Sequence, residues 1–240
     1  MKWEDRYLVT DSQRVRDPIK WRKSAVMSQR WRLVNGVELY DIQADPGQKN
    51  DIASAHPKQV EQMRAFYDEW WAELLPTFSQ TTEIHLGHAD HPKVTMTGHD
   101  WIQKSGPPWN QAHIRNGQTK KQIKHNGHWA VKVLSNGEYR IALRRWPEEA
   151  NHPIIASLPA GENVPGASQA FRARPGNAVL ASKATLRING NDIATKDVNH
   201  NDVEVAFIQR LEKGSHQLAP YFTTSQGELG AYYCIVTKMN

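Results

Sequence analysis

Four tryptophans beyond residue 94, Trp101, Trp109, Trp129 and Trp146, have the chemistry to hold a sugar. An indole offers a broad apolar face, and polar neighbours can read the hydroxyls around it. Asp100, Asn110, Gln111 and Arg145 are such neighbours. Trp101 and Trp109 lie in stretches bounded by Gly and Pro, which makes them the candidate sugar platform. Trp129 alternates with Val131 and Val133 and is expected in a core. His85, His88 and His91 recur every three residues, yet a loop bounded by Gly87 and Pro92 does not fix their rings on one point. Only Asp90 stands near them, so a polar linker is expected there and no metal site. His99-Asp100 is an isolated pair, expected as a loop hydrogen bond. Cys234 is the only cysteine, which excludes an internal disulfide and a cysteine-rich zinc cluster. Its setting, AYYCIVT, is that of a small buried hydrophobe. No G-x-S-x-G elbow, G-x-G-x-x-G or P-loop occurs.

The elements that must position these residues are clearest over Arg30 to Trp71. Trp31, Leu33, Val37, Leu39 and Ile42 are apolar positions around Asn35-Gly36, a dipeptide suited to a type I′ turn. Asp45-Pro46-Gly47 marks a second turn. Pro57 suits the first position of a helix, where its missing N–H costs nothing. Val60, Met63, Tyr67, Trp70 and Leu74 then follow at helical steps, and Pro76 ends the run. Residues 1–80 therefore read as an α+β unit, a small antiparallel sheet with one covering helix. Residues 81–93 read as a linker.

From residue 94 onward the pattern is short and β-like. Trp129, Val131 and Val133 lead through Asn136-Gly137 to Tyr139, Ile141 and Leu143, a hairpin signal. Asn189-Gly190 marks a second hairpin, and Val203, Val205 and Phe207 alternate again. Residues 147–177, rich in Pro and Gly, form one long irregular connection. An all-β sandwich over 94–240 is expected.

Hydrophobic residues make up 39% and charged residues 23% of the 240, an ordinary globular mix. The net charge of +5 is uneven: residues 1–35 hold nine Lys/Arg against four Asp/Glu, and the remainder is balanced at 21 against 21. Charge confined to one short region is not the spread footprint of a nucleic-acid groove, so no nucleic-acid partner is expected. It suits an anionic substrate or acids on a neighbouring part of the fold. No apolar run is long enough to span a bilayer. The opening MKWEDRYLVT lacks the apolar core of a signal peptide, so at face value the chain stays in the cytoplasm.

The ordered set Trp31, Arg32, Leu33, Gly36, Glu38 to Asp41, Asp45, Pro46, Asn50, Ala53, His56, Pro57, Tyr67, Trp70 and Trp71 resembles the C-terminal end of the type I sulfatases. These form the arylsulfatase family of the alkaline-phosphatase-like superfamily. Trp21 to Met27 resembles the strand that enters the same hairpin. Gly98 to Trp101, Pro108 to Gln111, Tyr139 to Glu149 and Gly230 to Val236 are similar to the β-sandwich tail of some bacterial sulfatases. The resemblance implies a sulfuric ester hydrolase of sulfated carbohydrates or aryl sulfates, working in the periplasm or outside the cell. It also implies a formylglycine made from C/S-x-P-x-R and a calcium ion held by three Asp and an Asn or Gln. Neither that motif nor the tandem Asp pair of the metal site occurs here. The expectation is therefore the terminal third of such an enzyme: inactive alone, with no catalytic residue, no cofactor and no metal site. Its partner is the catalytic domain that this chain lacks. The resemblance further places the segment after Val9 near the substrate, making Asp11, Ser12, Gln13 and Arg14 candidate contacts. Gln13 and Arg14 suit a sugar hydroxyl or a sulfate, because Arg presents a planar fork of donors. The rival expectation is a non-catalytic carbohydrate-binding or structural β-sandwich module.

Overall fold

The computed structural model describes residues 4–13, 15, 17–103, 108, 111–117, 126–168 and 172–239. It divides into two compact units, Met1–Thr81 and Thr82–Asn240. Arg14 and Trp109 lie outside the described residues.

The first unit is a four-stranded antiparallel meander of β1 (Leu8–Asp11), β2 (Ser24–Met27), β3 (Trp31–Val34) and β4 (Glu38–Asp41), paired in sequence order. Asn35 and Gly36 join β3 to β4 with φ of 49° and 71°. The Val37 N–H donates to Val34 O at 3.0 Å, as the expected type I′ turn requires. Val37 itself is exposed rather than one of the inward apolar positions. Three carboxylates then fold the chain back. Asp41 accepts from the Gln43 and Ala44 N–H groups, and Asp45 from those of Lys49 and Asn50. Asp51 accepts from Leu39 on β4 and from Ala53. Helix α1 (Pro57–Leu74) follows, with Pro57 in its first turn, and gives way to a 3-10 turn at Leu75–Thr77 that contains Pro76. Its buried stripe is Val60, Met63, Tyr67 and Trp71. Trp71 occupies the place expected of Trp70. With 3.6 residues per turn the stripe passes between the two after Tyr67, and Trp71 packs edge-on to Phe78 at 5.1 Å. These side chains close over Val26, Leu33 and Leu39 of the sheet.

The second unit is a β-sandwich. Its strands are β5 (Ile84–Leu86), β6 (Lys93–Thr97), β7 (Trp129–Val133), β8 (Gly137–Arg144), β9 (Ala181–Ile188), β10 (Asn191–Asp197), β11 (Val205–Leu211), β12 (Gly214–Leu218), β13 (Tyr221–Thr224), β14 (Gly227–Gly230) and β15 (Tyr233–Lys238). A short helix, α2 (Gln111–Asn116), lies between β6 and β7. One sheet runs β14-β13-β9-β12-β7-β5 with β10 also on β9, and the other runs β11-β8-β15-β6. Strand β5 pairs in parallel with β7, so the expected linker over 81–93 contributes a strand of the sandwich. The core between the sheets includes Trp129, Val131 and Val133 from one side and Tyr139, Ile141, Leu143, Cys234 and Val236 from the other.

The hairpin expected at Asn136-Gly137 does not form. Strands β7 and β8 lie in different sheets, and the chain crosses from one to the other. Neither residue has the positive φ of a type I′ turn. Both strands face the core, so the inward alternation that suggested pairing comes from opposed sheets. The expected hairpin at Asn189-Gly190 does form, with φ of 49° and 81° and Ile188 opposite Asn191.

Candidate functional site

The segment joining β1 to β2 holds the candidate contacts Asp11 to Arg14, and its geometry comes from one glutamine. The Gln13 side chain donates to Ile19 O and accepts from Ile19 N, both at 2.8 Å. It also donates to Asp11 Oδ2 at 3.0 Å. Gln13 is 8% exposed. Its amide is therefore spent inside the loop, which corrects its expected role as a sugar contact: it is a brace. Asp11 likewise accepts from Gln13 and from the Tyr67 hydroxyl of α1. Burial holds that phenol above its ordinary pKa, so it stays a neutral donor. Ser12 is exposed, and its N–H donates to Lys23 O.

The far side of the same loop, Trp21 to Lys23, falls in the stretch expected as the strand entering the hairpin, but it forms a turn and the strand begins at Ser24. Trp21 stacks on Tyr67 with centroids 3.8 Å apart, and its ring fills the space beside Gly36, where a Cβ would sit 2.7 Å from it. Trp21 and Lys23 both adopt left-handed backbone, with φ of 68° and 53°. Among the described residues, the other non-glycine positions at positive φ are Asn35, Gln48, Asn151 and Asn189. A tryptophan in that region is sterically costly, and the surrounding contacts hold it there. Lys20 pairs with Asp68 at 2.7 Å. Arg22 and Lys23 are exposed and have no ion pair among the described residues.

In the sandwich, the candidate sugar platform is corrected at Trp101. The residue is 4% exposed, with its ring 5.5 Å from Tyr232 and 5.6 Å from Trp129. The Gly-bounded stretch that suggested a loop tip is folded inward, because Gly127 permits a close approach: a Cβ there would meet Trp101 at 2.7 Å. Trp129 and Trp146 are buried and donate their N–H groups to Thr97 O and Pro153 O. Among the described residues of this unit no tryptophan is exposed.

Arg145, a supposed hydroxyl reader, is fully buried. Its guanidinium donates to the carbonyls of Ile154, Ala156, Ile114, Arg115 and Asn177. It also lies 4.3 Å from the Trp146 ring centroid. Burial pulls its pKa down to about 10, still far enough above neutrality to leave it charged. Arg115 does the same for Pro159 O and Arg174 O. Two cations therefore organise the irregular stretch between β8 and β9 through backbone oxygens, a role that sequence spacing does not reveal.

Cys234 is fully buried at the centre of its sheet, and burial pushes its thiol far above the usual range. Asp100 accepts from the Thr97 hydroxyl. The His88 and His91 rings lie 5.8 Å apart, and no cluster of three His, Cys, Asp or Glu converges on a metal site among the described residues.

No family model matches the sequence, and no curated protein matches it. Among solved structures, the chain is similar to a family 35 carbohydrate-binding module from an environmental isolate. The identity is 14% and the TM-score 0.28, over 51% of this chain and 75% of that one. It is also similar to a ruminal GH26 endo-β-1,4-mannanase at 16% identity and a TM-score of 0.34, over 64% of this chain and 27% of that one. Pika GITRL matches at 14% identity and a TM-score of 0.23, over 46% of this chain and 76% of that one. Superpositions this loose carry no argument about function.

Proposed function

We propose that this chain is the C-terminal part of a sulfuric ester hydrolase of the type I sulfatase kind, acting on a sulfated carbohydrate outside the cytoplasm. One observation carries the reading. Residues of the resemblance supply many of the contacts that join the first unit together. Asp41 accepts from Arg30 and from the turn that follows β4, and Asp45 closes the next turn. His56 lies against Trp31, with ring centroids 5.1 Å apart. Pro57 opens the helix, and Tyr67 and Trp71 fill the core.

The chain's own residues do not fit the groups that perform the chemistry in that family. Cys234 is sealed in a strand, and no Ser-x-Pro-x-Arg or tandem Asp pair occurs. No catalytic step is therefore assigned to this chain. Its contribution is to carry and brace the loop after β1 and to add the sandwich. The test is the DNA upstream of the Met1 codon, followed by assay. A C/S-x-P-x-R and an Asp-Asp pair in an adjoining frame are expected, with sulfate release from the joined product and none from this chain alone. Unrelated upstream sequence, or sulfate release by this chain, would overturn the reading.

A second reading, a non-catalytic carbohydrate-binding or structural module, is supported by the sandwich's own closed core between two sheets. A neutral-glycan array probed with the whole chain and with Trp109→Ala separates its two forms. Binding lost in the variant supports recognition, and no binding leaves a structural sandwich.

A further inference from the structure

We infer that the turn Trp21 to Lys23 leading into β2 is a preformed cationic contact for a sulfated polysaccharide, made by Arg22 and Lys23 and held in shape by Gln13 and Trp21. The choice of a sulfated polymer rests on the proposed function; the location rests on the loop itself. Residues 12–23 carry five Lys/Arg and a single acid, Asp17. Lys20 is engaged with Asp68, while Arg22 and Lys23 are exposed and have no ion pair among the described residues.

Arg22 sits between two residues whose left-handed backbone disfavours their side chains. Three fixtures hold that conformation. Trp21 is stacked on Tyr67, the Lys23 carbonyl accepts from Ser12, and Gln13 clamps Ile19 through both its backbone groups. A solvated loop needs none of this, and an Asn or Gly at position 23 would relax it. What the strained arrangement provides is two cations whose backbone is already ordered, so less freedom is lost when an anion arrives. The ligand class follows from what the loop lacks. Both faces of the Trp21 ring are covered, by Tyr67 and by the Gly36 turn. No base can stack there, whereas sulfate groups need only charge and N–H donors.

The experiment measures binding of the whole chain to size-defined heparin fragments, with desulfated heparin and single-stranded DNA as comparators, over a range of salt. Heparin is expected to bind, desulfated heparin not, and affinity to fall as salt rises. Lys23→Asn should weaken binding several-fold while raising the melting temperature, because it removes both the charge and the backbone strain. A residue with a purely structural role would not give that opposite pair of changes. Arg22→Ala should weaken binding without altering stability. Gln13→Ala should weaken binding with every cation still present. Heparin binding indifferent to these variants, or no binding, would overturn the inference. DNA binding as tight as heparin would replace the sulfated polymer with nucleic acid. If upstream sequence refutes the sulfatase reading while loop-dependent heparin binding persists, only that reading falls.

Discussion

Gln13 and Trp101 teach the same lesson from opposite chemistries. An amide in a basic loop looks like a ligand contact, and an indole between glycines looks like a sugar platform. Each is instead consumed internally, one by the backbone of Ile19 and the other by Tyr232 and Trp129. Residue type and spacing reveal what a side chain can do; burial decides whether it is free to do it. Truncating Trp101 to Ala is accordingly expected to cost about 3–5 kcal/mol of stability. Urea unfolding checks this, and an unchanged midpoint would restore the exposed-platform reading. Glu204 gives a second test. Its partial burial raises its pKa, but hydrogen bonds from Arg140 and Arg144 outweigh that and hold it below its ordinary 4.5. The stability it supplies is therefore present above that value and lost as pH falls through the folded pKa. Glu204→Gln should destabilise the protein by about 1–3 kcal/mol near neutrality. It should also lose less stability than wild type between pH 6 and 3, read as melting temperature against pH.

At the scale of elements, the two Asn-Gly turns that formed differ in their surroundings. Gly190 has φ of +81° and open space around it, whereas Gly36 has φ of +71° and the Trp21 ring where a Cβ would go. Gly190→Ala should cost about 1 kcal/mol, the backbone penalty alone. Gly36→Ala should cost distinctly more, because the stacked ring must move as well. Equal melting temperatures for the two variants would contradict the packing described for Trp21. The helix, the first hairpin and the Asp45 turn of the first unit were legible because each rests on local chemistry: a proline start, a period of 3.6, an Asp-Pro-Gly turn. The corner at Asn136-Gly137 was not, because alternation tells which face a strand buries and not which sheet it joins. The hold of Arg145 on the 147–180 stretch was equally hidden, since backbone carbonyls are present at every position.

At the scale of the whole molecule, two cores stand in one chain, one around Val26, Leu33, Met63 and Tyr67, the other between the two sheets. Helix α1 covers one face of the four-stranded sheet while Leu8, Thr10 and Glu38 are exposed on the other, so the first unit rests on one small core. Residues 1–81 alone should melt at low temperature with little cooperativity, whereas 82–240 should give a single sharp transition by calorimetry. A sharp, high-melting transition from the short piece would count against this. The sandwich also carries a consequence for its own synthesis. Strand β15 lies between β8 and β6 in its sheet, with Tyr233 opposite both Arg144 and Thr97. A ribosome adding roughly ten residues per second makes the flanking strands many seconds before the one that must lie between them. Throughout that interval β6 and β8 wait with facing edges open, and the sheet closes only once β15 has been made and inserted between them.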